Sequence, residues 1–122
     1  MSLRTLVRAA LASTDDVAAD DERHAAAKVV GCTPLSDAVP RCRVAVSGVL
    51  RSVVLRPRGG VPTVEAELFD GTGSVDLVWL GRRELAGIEP GRRLRVEGVV
   101  AERDGRRTLF NPRYELRAWA GE

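Results

Sequence analysis

The stretch Ala66-Glu67-Leu68-Phe69-Asp70-Gly71-Thr72-Gly73-Ser74-Val75-Asp76-Leu77-Val78-Trp79-Leu80-Gly81 decides the fold. Two apolar runs flank Asp70-Gly71-Thr72-Gly73. In such a turn, Asp accepts hydrogen bonds from its own backbone and Gly supplies the positive φ. The pattern predicts a hairpin of strands Thr63–Phe69 and Ser74–Leu80. On the first strand Val64, Ala66 and Leu68 share one face, and Glu65, Glu67 and Phe69 the other. On the second, Leu77-Val78-Trp79-Leu80 is apolar on both faces, so periodicity leaves the direction of Trp79 open.

Working outward, Pro57-Arg58-Gly59-Gly60-Val61-Pro62 reads as the turn before this hairpin. A long first strand precedes it, from Arg41 through Val44, Val46 and Val49 to Leu55, with Gly48 marking a bulge or bend. After the hairpin, Arg82–Ile88 reads as one to two helical turns. Glu89-Pro90-Gly91 then suits a type II turn. Strand four spans Arg92–Glu102, Asp104-Gly105 is a two-residue hairpin turn, and strand five runs from Arg106 through Leu116, interrupted at Pro112.

Upstream, Leu3, Leu6, Val7, Ala10 and Leu11 fall on one face of a short helix. A second helix is expected through the 20–30 region, with acids first and Lys28 near its end, as the helix dipole prefers. Thr33–Pro40 reads as a linker. The division is therefore a helical extension and linker over 1–40 and a β domain over 41–122.

The totals bound the function classes. The chain has 122 residues, 44% hydrophobic and 30% charged, which fits one globular domain with one core. No apolar run approaches membrane-spanning length and the start lacks a signal-peptide core, so a cytoplasmic protein without membrane contact is expected. Cys32 and Cys42 stand ten apart with a single histidine, His24, in the chain, so a zinc site is not expected and the cysteines read as reduced, partly buried thiols. His24 reads as a helix-surface residue. No nucleophile–base pair, phosphate-cradling loop or dinucleotide fingerprint is present, so neither a cofactor nor enzymatic activity is expected.

The charge is uneven. The net +2 divides into four basic and six acidic residues over 1–40, and fifteen arginines with eleven acids beyond. Arginine is the better fork for phosphate and the better stacking partner.

Five strands, a helix between the third and fourth, a bent first strand and hairpins at 1–2, 2–3 and 4–5 make the plan of a Greek-key OB-fold barrel. Val44-Ala45-Val46-Ser47-Gly48-Val49, Leu68–Val75, Pro90–Gly98 and Leu109–Tyr114 resemble the OB-fold nucleic-acid-binding family of anticodon-binding domains and branch-migration helicase wedge domains. The chain resembles a small stand-alone bacterial member of it. That resemblance implies a five-stranded barrel binding single-stranded or branched nucleic acid, DNA in preference to RNA, on the strand 2–3 face and its flanking loops. Arg56 and Arg58 in the 1–2 loop, and Arg103, Arg106 and Arg107 around the 4–5 turn, would meet phosphates. Phe69 or Trp79 would stack on bases.

Two features oppose that reading. Glu65, Glu67 and Asp76 lie on the same face and would repel a phosphate backbone, and aromatic residues are only 4% of the chain. The alternative is a protein-interaction module that docks a partner on this acidic face, or self-associates through the N-terminal helices.

Overall fold

The computed structural model describes residues 17–26, 29 and 31–119. The first expected helix lies outside the described residues. Within them a helix, α1, covers 17–26, with His24 exposed on it. A single 3-10 turn follows at Leu35–Asp37. The rest is β structure: β1 Arg43–Leu55, β2 Thr63–Phe69, β3 Ser74–Leu80, β4 Arg92–Val99, β5 Ala101–Arg103, β6 Arg106–Phe110 and β7 Arg113–Trp119. They form one sheet in the order β5-β6-β3-β2-β1-β4-β7.

The organising hairpin forms in the expected register, with Glu67 opposite Asp76 and Phe69 opposite Ser74. β1 is 13 residues long because it serves two partners. Arg43–Val49 pairs antiparallel with β4, and Val49–Leu55 with β2. Gly48 sits where these two ladders meet. A Cβ there would lie 2.5 Å from Phe69 O, so only glycine allows so close an approach. The register shift itself comes later, between Leu50 and Ser52, which makes Arg51 the bulged residue rather than Gly48.

The expected fourth and fifth strands each divide. Val100 separates β4 from β5 because its N–H donates to Cys42 O (3.0 Å) and its carbonyl accepts from Arg41 N (2.8 Å). Asn111-Pro112 separates β6 from β7, since proline cannot donate to a ladder. β6 runs parallel to β3 and β7 antiparallel to β4. The two halves of the expected fifth strand thus lie on opposite sides of the sheet, and the seven strands make an open order, not a closed ring of five.

The expected helix over Arg82–Ile88 does not form; the segment is a run of turns. Gly81 (φ 74°) and Gly87 (φ 75°) are both left-handed and confine helical geometry to five residues, too few to offset the cost of nucleation. Gly87 is also pressed against the Leu116 side chain. The Glu89–Arg92 turn forms as expected, with Gly91 at φ 90° and Arg92 N–H donating to Glu89 O (3.1 Å).

The core is built from inward positions of β1, β2, β3, β4 and β6: Val46, Leu50, Leu68, Leu77, Leu94 and Leu109 are all essentially inaccessible. Leu35, from the expected linker, joins them at 1% exposure. It is pinned by Asp70, whose Oδ2 accepts Leu35 N–H (2.8 Å) while Oδ1 accepts Thr72 N–H (2.8 Å), Thr72 Oγ1–H (2.7 Å) and Gly73 N–H (3.0 Å). The turn aspartate therefore does more than shape its own hairpin. It also fastens the chain entering the sheet. α1 lies close by, against Gly71, and its Glu22 pairs with Arg93 of β4 (3.0 Å).

Candidate nucleic-acid interface

Four neighbouring strands and two loops present one face. Along it, Ser52, Glu67, Asp76 and Thr108 stand in one row across β1, β2, β3 and β6. Val54, Glu65, Val78 and Phe110 form the next. The β1–β2 loop folds over one side as a small hairpin. Arg58 and Val61 exchange backbone hydrogen bonds (2.9 and 3.0 Å) around Gly59 and Gly60, both at positive φ. The β5–β6 turn flanks the other side, with Asp104 (φ 54°) and Gly105 (φ 77°) in the conformation that a type I′ hairpin requires.

Those two turns aim their arginines at the carboxylates between them. Glu65 lies 2.7 Å from Arg58, 3.2 Å from Arg103 and 3.7 Å from Arg56. Arg106 reaches Asp76 at 2.8 Å and Glu67 at 3.2 Å. The Arg58 hydrogen bond is the main reason the Glu65 carboxyl sits below its ordinary pKa, with burial opposing it and Arg103 adding to it. Pairing with Asp76 likewise holds the Arg106 pKa above its ordinary value. Glu65, Glu67 and Asp76 are therefore not a free acidic surface, as the sequence suggests, but the centres of an ion-pair lattice. Five guanidiniums (Arg51, Arg56, Arg58, Arg103 and Arg106) face three carboxylates, and the face keeps a positive excess.

The remaining expected residues divide. Phe69 is on this face and half-buried, with the Arg51 guanidinium 3.3 Å above its ring. Trp79 is not on it. It is 4% exposed, donates Nε1–H to Pro112 O (3.0 Å) and meets the Tyr114 ring edge-on at 5.7 Å. Burial removes both of its ring faces from any incoming base, so its expected stacking role is corrected to a core role. Arg107 points to the other side of β6, over Gly73, away from the other four arginines. Cys42 is exposed rather than partly buried, and neither cysteine forms a disulfide.

Two residues join the face unannounced. Arg51 arrives through the bulge, which the doublets Val49-Leu50 and Val53-Val54 around Arg51-Ser52 could have signalled as a change of strand phase. Phe110 is 43% exposed beside Arg103, at 5.9 Å from guanidinium to ring centre. It offers the uncovered aromatic surface that Trp79 lacks.

The fold agrees with comparison to known proteins. Residues 44–118 match the family described as OB-fold nucleic acid binding domain of the tRNA anticodon type. The chain belongs to that family. A solved structure of RecG bound to a three-way DNA junction is similar to it, with a TM-score of 0.59 and 23% identity. That likeness covers 68% of this chain and only 12% of the RecG chain. Among curated proteins, none matches the sequence.

Proposed function

We propose that this protein is a non-catalytic module that binds single-stranded or branched nucleic acid, DNA in preference to RNA, weakly and without sequence preference. The observation that carries the reading is the face between the two loops: an arginine excess with Phe69 and Phe110 as stacking surfaces, on a chain of an OB-fold nucleic-acid-binding family. Guanidiniums contact phosphates of any sequence, and an aromatic ring stacks on any base. The nature of the RecG complex, a junction, is what extends the proposal to branched DNA.

Weakness follows from the lattice. Each arginine already has a carboxylate, so binding exchanges ion pairs instead of creating them, and two half-available aromatics supply roughly 1–3 kcal/mol each. Micromolar affinity is expected. With about five phosphates engaged, affinity for a single strand falls on the order of 100-fold between 50 and 200 mM salt. Anisotropy titration of a fluorescein-labelled single-stranded oligonucleotide measures both quantities. Absence of binding at 50 mM salt and tens of micromolar protein refutes the proposal.

A second reading has one observation in its favour. Val54, Leu55, Val61 and Leu80 are 42–56% exposed where the β1–β2 hairpin meets the end of β3. Apolar surface of this kind suits a protein partner. Concentration-dependent sedimentation, compared with a Leu55→Ser/Leu80→Ser variant, tests whether this surface drives self-association.

A further inference from the structure

Among the described residues, Glu65 has the most cationic partners of any carboxylate, and they come from two separate loops. Arg56 and Arg58 leave the β1–β2 loop; Arg103 precedes the β5–β6 turn. In the sheet these elements are separated by β3, so no backbone ladder links them. The Glu65 carboxylate does. Its side chain is only 13% exposed and lies beneath the guanidiniums, which are themselves 57%, 46% and 25% exposed for Arg56, Arg58 and Arg103.

Three guanidiniums converging on one anion describe an anion site, and here the anion belongs to the protein. A phosphodiester carries the same charge as a carboxylate and offers guanidinium the same paired oxygens. We propose that Arg56, Arg58 and Arg103 form a phosphate subsite whose resting occupant is Glu65. An incoming phosphate takes the guanidiniums over from the carboxylate, and the arginine side chains of both loops turn outward together to follow it. The long arginine stems permit this, because the backbone at Arg58 and Arg103 is held by its own hairpin bonds. Mild acid does not vacate the subsite, since Glu65 is protonated less readily than an ordinary glutamate. The nucleic acid as natural source of the phosphate rests on the function proposed above; the subsite itself rests on the three-arginine geometry.

The test compares the full chain with Glu65→Gln and with Glu102→Gln. Glu102 is an exposed acid on adjacent β5 that makes no ion pair among the described residues, so its neutralisation reports the simple charge effect. At 50 mM salt, Glu65→Gln binds a fluorescein-labelled single-stranded 12-mer about five- to tenfold more tightly than wild type, because charge-assisted bonds no longer have to be exchanged. Glu102→Gln changes affinity less than about twofold, as a rim charge in high dielectric should. In parallel, inorganic pyrophosphate is titrated while the Nε–H resonances of Arg58 and Arg103 are followed. They shift together in Glu65→Gln at a concentration about tenfold lower than in wild type. Equal behaviour of Glu65→Gln and Glu102→Gln towards both probes overturns the proposal, provided both are folded under the assay conditions, as a cooperative urea transition shows. If Glu65→Gln does not fold, Glu65→Asp, whose carboxylate is drawn one methylene away from the guanidiniums, replaces it with the same expected direction. A pyrophosphate response without oligonucleotide binding upholds the subsite and refutes the nucleic-acid reading.

Discussion

Replacing Asp70 with Asn changes one atom and should unfasten the chain's entry into the sheet. Asp70 is 1% exposed, and its two oxygens have separate duties. Oδ1 holds the turn through Thr72 and Gly73; Oδ2 alone accepts from Leu35 N–H at 2.8 Å. An asparagine keeps the first oxygen and sets an amide donor against the Leu35 donor. A buried donor deprived of a charged acceptor costs about 1–3 kcal/mol. Asp70→Ala removes the turn bonds as well and should cost about 3–5 kcal/mol, a large part of the roughly 5–15 kcal/mol that a domain has. Urea denaturation followed by tryptophan fluorescence measures both, with the midpoint falling and the slope unchanged. Hydrogen exchange provides the sharper check. In Asp70→Asn the Leu35 amide should gain exchange beyond the global loss, while the Thr72 and Gly73 amides should not. A loss below about 0.5 kcal/mol, within the range of an ordinary surface change, would show that Asp70 does not carry the anchor.

Other outcomes follow from the same geometry. Gly48→Ala places a methyl 2.5 Å from Phe69 O and should cost about 1–3 kcal/mol by the same urea assay, without altering oligonucleotide affinity per folded molecule. Phe110→Ala and Phe69→Ala should each weaken oligonucleotide binding by about 1–3 kcal/mol, whereas Trp79→Phe should lower the urea midpoint and leave affinity unchanged. Because the Glu65 pKa is depressed on folding, its contribution to stability is complete above its unfolded pKa, near 4.5, and is lost as pH falls through the lower folded value. The urea midpoints of wild type and Glu65→Gln should therefore converge between pH 5 and strongly acid conditions; a gap independent of pH would contradict the Arg58–Glu65 assignment.

The hairpins were readable in the sequence because their code is local. Asp104-Gly105, Gly59-Gly60 and Asp70-Gly71 each need a backbone conformation that few residues accept, and those residues are present. The outward placement of Phe110 was not readable in this way, because Thr108 and Leu109 before it are both buried and burial along β6 does not alternate. Arg82–Ile88 misled because nothing in Arg82–Ala86, five good helix formers, shows that the glycines on both sides of them turn left-handed. Trp79 was undecidable from pattern, since Val78 and Leu80 beside it are equally apolar; the Pro112 carbonyl 33 positions away decides it. The ion-pair lattice was hidden for the same reason. Arg103 and Glu65 are 38 positions apart, and Arg106 and Asp76 30 apart, so their pairing depends on strand register. Charges read one at a time gave opposing forces, basic loops against an acidic face, where the folded chain has them neutralising each other.

The double service of β1 has a kinetic meaning. Its pairing with β2, and β2 with β3, closes through short turns, so these three strands can assemble as a meander from neighbouring sequence. Its pairing with β4 joins Arg43 to Val99 across most of the sheet's sequence, and loop-closure entropy must be met before that ladder returns anything. The first half of β1 then waits as an unpaired edge while the rest of the chain emerges, with Val44 and Val46 uncovered. For this protein the hazardous interval in folding is the time before β4 arrives, and the strand at risk of pairing with a second chain is the one that later holds both ladders together.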